Sequence, residues 1–140
     1  MAAPFDVQLV TPQGVLFSGP STMLTVPGVA GTLGILANHA PLLTELRIGE
    51  AALMEPDGYR RHFYIGGGFI EVNQNKVTIL AEEATGEDEM DPVEAQRLHQ
   101  EAIHHLELSQ GNEDEAEAAI MLERAAARLR VLSRNRPDRR

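Results

Sequence analysis

The sequence predicts an α+β protein, with an antiparallel β-sandwich in its N-terminal part and an antiparallel two-helix hairpin in its C-terminal part. Residues 1–84 hold six of the eight prolines and most of the glycine, whereas residues 91–133 are rich in Ala, Glu, Leu and Arg. Short runs of alternating apolar and polar residues, separated by frequent turn signals, are typical of a sandwich. Apolar residues at helical spacing characterise the second part.

Five short runs in the first part are candidate strands. In FDVQLV the apolar residues Phe5, Val7 and Leu9 fall on one face, as the two-residue period of a strand requires. Turn sequences such as TPQG, EPDG and NQN separate the runs. FIEVNQNKVTIL is interpreted as a hairpin that turns at Asn73–Asn75. The other candidates are STMLTV (21–26), YRRHFYI (59–65), FIEV (69–72) and KVTIL (76–80).

An acidic segment joins the two parts. Seven of the thirteen positions from Glu82 to Glu94 are acidic and none is basic, which is typical of a solvated linker. The predicted division is a β-sandwich (1–84), an acidic linker (85–90), a helical hairpin (91–133) and a disordered basic tail (134–140).

The first predicted helix has a clear start signal. Asp91 is a candidate N-cap, Pro92 suits the first helical position, and Glu94 stands where a capping box places its acid. SQGN (109–112) ends this helix, and so short a break favours an antiparallel hairpin. The predicted apolar stripe comprises Ala95, Leu98, Ala102 and Leu106.

The second predicted helix runs from a capping pair of Asn112 with Glu115 to about Ser133. Its alanines would let two helices approach closely, and its apolar side is predicted to comprise Ala116, Ala119, Ile120 and Ala126. The helix also carries three arginines, of which the first two are four residues apart and share a face. Ordinary surface charge near a helix C-terminus is the alternative to a functional role for these arginines, Arg124, Arg128 and Arg130.

The bulk composition excludes several classes of function. The net charge of −9 argues against binding nucleic acid or an anionic membrane by electrostatic attraction. Without cysteine, the chain has no disulfide, thiolate metal site or cysteine nucleophile. No basic leader with a long apolar run is visible, and no apolar stretch approaches the ~20 residues of a membrane span. These features predict a soluble cytosolic protein, and no cofactor is expected.

No group of residues has the pattern of a catalytic or metal site. The glycines of YIGGGFIEV could suggest a phosphate cradle, but they lead into an apolar strand, which favours a tight connection or bulge. None of the five histidines forms H-E-x-x-H or another zinc spacing. What remains is the arginine-bearing helix and an apolar, loop-borne surface, TVPGVAGTLGILANHAPLLTELRIG, that contains His39.

VPGVAGTLGILANHAPLLTELRIG (26–49) resembles the signature of the epsilon subunit of F-type ATP synthases. The family pattern is a glycine, two residues and G-x-[LM]-G-I, and then, after a short step, N/G-H-A-P-L-[LV]-T and a glycine. The likeness continues in FSG near residue 17, in YIGGGFIEV, in VTILAEEA and in RLRVL, and spans residues 5–133. It implies a flattened β-sandwich of about ten short strands, followed by two antiparallel helices.

The resemblance also implies a role in the central rotor. Epsilon subunits are non-catalytic; their sandwich binds the gamma subunit and the c-ring and helps couple proton flow to ATP synthesis. Their hairpin folds against the sandwich or extends along gamma towards the catalytic alpha and beta subunits, and the extended form restrains ATP hydrolysis in many members. Such a protein would lie peripherally on the cytoplasmic face of the bacterial inner membrane, without inserting into it.

The implied docking residues form two sets. Val29, Ala30, Gly31 and Thr32 would form the turn near the c-ring; because none is acidic, in contrast to other members, no charge-assisted contact with the ring is expected. The second set would bind a partner through a loop whose shape is fixed in advance by proline and glycine. Its histidine would hydrogen-bond either within the loop or to the partner. This second set is His39, Ala40, Pro41, Leu42 and Leu43.

A further departure concerns nucleotide. Some members bind ATP through I/L-D-x-x-R-A at the start of the first helix, together with arginines of the second helix. The matching stretch here, MDPVEA (90–95), carries Glu94 in place of the arginine. Exchanging an attracting cation for an anion predicts weak or no ATP binding through Asp91, Arg124 and Arg128.

Two alternatives stay open beside the rotor subunit. A small-ligand sensor that closes on ATP is disfavoured by Glu94, and an independent enzyme is disfavoured by the lack of a nucleophile–base pair. In the rotor interpretation, the arginine face of the second helix would meet acidic segments of the beta subunits. The acidic segment 82–94 would then be a hinge whose self-repulsion favours an open hairpin.

Overall fold

Eight strands and two α-helices make up the part of the chain that the computed structural model describes, residues 2–133. A single turn of 3-10 helix, Glu87–Glu89, separates the last strand from the first helix. The helices are α1 (Pro92–Leu108) and α2 (Asn112–Ser133). The strands are β1 (Phe5–Thr11), β2 (Gly14–Ser21), β3 (Met23–Gly28), β4 (Gly31–Ile35), β5 (Leu42–Met54), β6 (Arg60–Asn73), β7 (Lys76–Ala81) and β8 (Ala84–Gly86).

The two long strands β5 and β6 belong to both layers of a flattened sandwich. Residues 42–46 of β5 pair with residues 68–72 of β6, and the sheet continues from there through β7 and β1 to β2. Further along the same two strands, β3 and β4 extend the sheet beside β5, and β8 pairs with β6. We call the part that contains β1, β2 and β7 the β1 layer, and the part that contains β3, β4 and β8 the β3 layer.

The predicted fold class is confirmed, and two details of it were wrong. The described residues form eight strands instead of about ten, and the runs YRRHFYI and FIEV, predicted as two strands, belong to one continuous strand, β6. The sheet is mixed instead of purely antiparallel, because β1 pairs in parallel with β7. Alternation along a strand reports which face is buried and carries no information about the direction of the neighbouring strand.

The glycine run lies inside β6, and the register between β6 and β5 passes through it without an extra residue, so the favoured interpretation of a tight connection or bulge is not met. Gly67 and Gly68 have φ values of +102° and +143°, which side chains rarely adopt. A Cβ on Gly68 would lie 2.1 Å from the Leu80 carbonyl oxygen. The inward positions of β6 change from odd numbers (Ile65) to even numbers (Ile70) across these glycines, and those of β5 change at the same level, between Leu46 and Ala51. Both strands thereby keep apolar residues in the core on either side of the glycines.

The main core lies between the two layers and consists almost entirely of strand residues. The predicted inward face of β1 is confirmed, since each of its three apolar side chains is at most 3% exposed. Burying side chains of this size stabilises the fold by roughly 1.5–3 kcal/mol each. The core comprises Phe5, Val7, Leu9, Leu24, Val26, Ile35, Leu46, Ala51, Leu53, Phe63, Ile65, Ile70, Val72, Val77, Ile79 and Ala81.

Only part of the segment predicted as a loop-borne surface is a loop. Residues 31–35 form β4, and β5 begins at Leu42, so the loop between them is confined to residues 36–41. Leu42 and Leu43 therefore lie on a strand. Of the apolar residues, Ile35 is buried in the core whereas Leu36 is exposed. The glycines and the proline made this segment look less regular than it is, because β4 tolerates two glycines at its exposed positions.

The stretch predicted as the acidic linker, 85–90, is structured. Thr85 and Gly86 belong to β8, which pairs with β6, and the next three residues form the 3-10 turn. The sandwich thus extends two residues beyond the predicted boundary. The predicted basic tail, 134–140, lies outside the described residues.

The predicted N-terminal cap of α1 is confirmed in part. The Asp91 carboxylate accepts a hydrogen bond from the Val93 amide at 3.0 Å, and Pro92 is the first helical residue. Glu94 does not complete a capping box; its two oxygens instead accept from Arg97, at 2.9 and 2.7 Å. The predicted stripe is buried at Ala95 and Ala102 and half-buried at its two leucines.

Helix α2 is buried on two opposite faces, which the sequence did not predict. Ala118 and Ala125 share one face, and Ala127 lies half a turn away from both at 100° per residue. Because only Ala127 joins the apolar cluster on the sheet, the other face packs against α1. The predicted apolar side of α2 was wrong, because its residues are not the buried ones. They are exposed or half-buried: Ala116, Ala119, Ile120 and Ala126.

The predicted Asn112–Glu115 capping pair does not form. Asn112 is already the first residue of α2, and Gly111 before it has a φ of +89°. The Asp114 carboxylate instead accepts a hydrogen bond from the Gln110 amide at 2.9 Å. This contact closes the turn between the two helices.

Candidate protein-docking surfaces

The loop 36–41 is fastened to two other parts of the chain through Asn75. The Asn38 amide donates to the Asn75 side-chain oxygen at 2.7 Å, and the Asn75 side-chain nitrogen donates to the Pro4 carbonyl at 3.2 Å. Asn38 and Asn75 both adopt a positive φ, which asparagine tolerates better than most residues. The loop conformation is therefore set before any partner arrives.

His39 completes the loop by a hydrogen bond within it. Its Nδ1 lies 2.8 Å from the Ala40 carbonyl oxygen, and its amide donates to the Leu36 carbonyl at 3.2 Å. The ring is half-buried. Of the two roles that the sequence left open for His39, the structure shows the internal one, which stabilises the turn before Pro41.

The other predicted docking residues are mostly exposed. The β3–β4 turn lies beside the start of β5, since the Val29 amide donates to the Glu45 carbonyl at 3.1 Å. Leu43, with 72% exposure, points away from the core, while Leu42 is half-buried against it. The remaining exposed positions are Val29, Ala30, Gly31, Thr32, Ala40 and Pro41.

Four apolar side chains form a row across the outer face of the β1 layer, and sequence reasoning missed them. The strand register places Val15 opposite Val10, Val10 opposite Leu80, and Leu80 opposite Phe69. Val15, Leu80 and Phe69 are each at least 50% exposed. We call this set the apolar row. The sequence does carry a signal for this row, because β1 and β7 have apolar residues at outward as well as inward positions.

A polar cluster joins α2 to the β3 layer. Glu83 accepts a hydrogen bond from the Tyr64 hydroxyl at 2.8 Å through one oxygen and from Arg128 at 2.7 Å through the other. The Arg128 guanidinium also stacks over the Tyr64 ring, 4.3 Å from its centre. Arg124 lies 3.8 Å from Glu82 and 3.9 Å from Glu83. We call Tyr64, Glu83, Arg124 and Arg128 the Glu83 cluster.

Burial dominates the ionisation of Tyr64. The side chain is inaccessible to solvent, which raises the pKa of its hydroxyl well above the ordinary value, and the hydrogen bond to Glu83 raises the pKa further. Tyr64 therefore remains a neutral hydrogen-bond donor throughout the physiological range.

The predicted arginines do not all act together. Arg124 and Arg128 share a face as predicted, and both approach acids of the 82–94 segment. Arg130 is exposed. The expectation that this acidic segment favours an open hairpin is not met, because two of its carboxylates bind α2.

Residues that match the nucleotide motif have structural roles. Met90 packs against the apolar cluster between α2 and the sheet, and Asp91 caps α1. The hydrogen bonds from Arg97 hold the pKa of the Glu94 carboxyl below its usual value. The motif positions therefore fasten the hairpin and contribute no cation to a phosphate site.

Within residues 2–133, no set of three or more His, Asp or Glu side chains is arranged to hold a metal ion. Neither described helix combines the length and the apolar composition that crossing a bilayer requires.

The fold and its surfaces define a class: a protein-binding module in which a β-sandwich carries an exposed apolar face on one side and a helical hairpin on the other. A family model of the β-sandwich domain of the ATP synthase delta/epsilon chain matches residues 4–87. The ATP synthase epsilon chain of Herpetosiphon aurantiacus is 41% identical over 135 residues, covering 95% of this chain and 98% of that one. The chain belongs to the ATP synthase epsilon chain family, and the predicted resemblance is confirmed.

A second relative and two solved structures agree with this placement. The ATP synthase epsilon chain of Chromohalobacter salexigens is 38% identical over 134 residues, covering 96% of this chain and 95% of that one. A chain of the Euglena gracilis mitochondrial ATP synthase has a TM-score of 0.81 at 23% identity, covering 94% of this chain and 83% of that one. A chain of the Tetrahymena thermophila central stalk and c-ring has a TM-score of 0.67 at 16% identity, covering 94% and 98%. The structures share the fold, and the family makes this chain a non-catalytic subunit.

Proposed function

We propose that the chain is a central-stalk subunit of a bacterial, proton-translocating ATP synthase, which couples rotation of the c-ring to ATP synthesis. Membership of the epsilon chain family supports this proposal. The observation that carries it in this chain is the apolar row, which lies on the sheet face opposite the hairpin. A contiguous exposed apolar strip is typical of a protein-binding surface.

The apolar row and the loop 36–41 would dock on the gamma subunit. Neighbouring strands lie about 4.8 Å apart, so a row across four strands extends about 14 Å. Leu43 adds an exposed apolar side chain on β5, nearer the loop, while Glu45 lies opposite Phe69 and Glu71 lies opposite Leu43. Because Asn75 fixes the loop in advance, binding would cost little ordering entropy.

The β3–β4 turn, residues 29–32, would contact the c-ring. Its exposed residues are uncharged, so the contact would rest on shape and apolar area. The assembly would place the chain peripherally at the cytoplasmic face of the bacterial inner membrane.

The hairpin would restrain ATP hydrolysis when it leaves the sheet. In that state Arg124, Arg128 and Arg130 would face acidic segments of the alpha and beta subunits. Exposure of Arg130 in the docked state supports this role, because the side chain is available to a partner.

The docking face can be tested with Phe69→Glu and Met23→Glu. Both residues are similarly exposed, at 50% and 46%, but Met23 lies on the hairpin side of the sandwich. Binding to purified gamma subunit, measured by calorimetry, should weaken at least tenfold for Phe69→Glu and change little for Met23→Glu, since a buried unpaired charge is costly. Equal affinities of the two variants would refute the proposed gamma-binding face.

A further inference from the structure

The contact between the hairpin and the sheet has a small apolar component. Its buried apolar cluster contains Tyr64, Ala127 and Val131, with Ile48 and Met90 packed at the edge. Two of the three buried members are small, so the apolar area that they withdraw from water is limited. Polar contacts therefore make a large contribution to holding the hairpin on the sandwich.

Glu83 is the residue that connects the two parts. Its backbone is fixed to the sandwich, because the Gly66 amide donates to the Glu83 carbonyl at 2.7 Å. Its carboxylate then binds one group from each side: the Tyr64 hydroxyl of the sheet and the Arg128 guanidinium of α2. Hydrogen bonds that involve a charged group are roughly twice as strong as neutral ones.

The charges of the cluster are matched within the chain. Arg128 binds Glu83 directly, and Arg124 lies within 4 Å of both Glu82 and Glu83. An external anion at these arginines would have to displace Glu83, which would leave the buried Tyr64 hydroxyl without its acceptor.

We propose that the Glu83 cluster is a ligand-independent lock that holds the hairpin on the sandwich, and that breaking the Glu83–Arg128 pair is the step that releases it. Neither nucleotide nor another anion is needed for the docked state. The lock follows from the contacts alone, whereas its consequence for ATP hydrolysis rests on the proposed function.

Thiol labelling of a single introduced cysteine measures release directly, because the chain has no cysteine of its own. Ala127→Cys places the reporter in the buried contact between α2 and the sheet. Ala118→Cys reports on the buried face of α2 towards α1, and Val77→Cys reports on the sandwich core. Release of an intact hairpin exposes only the first of these positions.

Glu83→Gln removes the charge and keeps the shape of the side chain. It should speed labelling at Ala127→Cys about tenfold or more, as should Arg128→Gln, because each variant loses a charge-assisted hydrogen bond. The Ala118→Cys and Val77→Cys reporters should keep their labelling rates. Glu123→Gln makes the same charge change at an exposed position of α2 and should have no effect.

Three results would overturn the lock. Labelling at Ala127→Cys within twofold of the parent rate in both Glu83→Gln and Arg128→Gln would show that the cluster does not hold the hairpin. Equal acceleration at all three reporters would show general destabilisation. Slower labelling of the parent Ala127→Cys chain in millimolar MgATP would show that a ligand contributes to docking.

A Tyr64→Phe variant, which removes only the hydroxyl, provides an independent measure if a charge variant folds poorly. It should speed labelling at Ala127→Cys severalfold, less than Glu83→Gln does. An unchanged rate would contradict the part of the proposal that concerns Tyr64.

The reconstituted synthase separates the lock from the proposed function. With Glu83→Gln in the complex, hydrolysis should be slower than with the parent chain, because a released hairpin engages the catalytic subunits more often. Fast labelling at Ala127→Cys with unchanged hydrolysis would keep the lock and contradict the restraint of hydrolysis. Unchanged labelling with unchanged hydrolysis would contradict the lock.

Discussion

His39 lies within the family signature, and its side chain makes one hydrogen bond, inside its own loop. One ring nitrogen bonds to the next carbonyl in the same loop, and the side chain is half-buried at the surface. An internal bond of this kind contributes about 1 kcal/mol to stability. Its main effect is to set the shape of residues that face outward.

His39→Ala should therefore weaken assembly more than folding. We expect the free energy of unfolding in urea to fall by no more than about 1 kcal/mol, and the affinity for gamma subunit to fall at least several-fold. A variant that is unfolded, or that binds gamma as well as the parent chain does, would contradict this prediction.

Docking of the hairpin should weaken at strongly alkaline pH, because Tyr64 then loses its proton. Its pKa in the folded chain is raised above the value of about 10 in an unfolded chain, so its contribution is fully present below pH ~10 and is lost as pH rises through the folded pKa. In a Tyr59→Phe background Tyr64 is the only tyrosine. Its phenolate absorbance should then appear well above pH 10, together with faster labelling of Ala127→Cys. Titration of Tyr64 at pH ~10 without undocking would refute this.

At the scale of single elements, the glycine run of β6 has the strictest requirement for glycine, at Gly68. A Cβ at Gly68 would meet the carbonyl oxygen of β7 at 2.1 Å, in addition to the strain of a positive φ. Gly34 in β4 has no atom within 4 Å of the same position and no positive φ. The two glycines thus differ in space and in backbone conformation.

Gly68→Ala should destabilise the sandwich by on the order of 3 kcal/mol or more, because the pairing of β6 with β7 must shift. Gly34→Ala should change the free energy of unfolding by only about 0.5 kcal/mol. Urea denaturation of both variants checks the difference. Similar costs would show that the backbone around Gly68 relaxes easily.

Helix α2 shows why its packing was harder to predict than that of α1. Helix α1 has one buried stripe, which a period of 3.6 residues reveals. Helix α2 lies between α1 and the sheet, so alanines on two opposite faces are buried and the periodic signal largely cancels. Its start at Asn112 agrees with the prediction, but the capping contact does not, since Asp114 and not a pair of Asn112 with Glu115 closes the turn.

At the scale of the whole molecule, the sandwich holds the complete main core. All sixteen residues of that cluster lie between Phe5 and Ala81. A chain truncated after Glu89 should therefore fold and assemble, and the reconstituted synthase should hydrolyse ATP faster than with the full chain. Equal rates with assembly intact would place any restraint of hydrolysis outside the hairpin.

The isolated chain should bind MgATP weakly or not at all. Arg124 and Arg128 line an open cleft of about 470 Å³, but the acids Glu83 and Glu117 line it too. Glu94, in place of a cation, is held by Arg97. Isothermal titration at millimolar nucleotide should give no saturable heat, whereas tight binding would contradict both this expectation and the ligand-independent lock.

The sequence by itself determined the fold class, some of the elements and the family. Alternation identified the inward face of β1, Asp91 and Pro92 marked the start of α1, and the motif around His39 identified the epsilon chains. These features are local, because each depends on residues a few positions apart. The tertiary structure alone decided the parallel pairing of β1 with β7, the apolar row and the Glu83 cluster. Glu83 and Arg128 are 45 positions apart, and their contact depends on how strands are ordered and how a helix docks, which local periodicity does not encode.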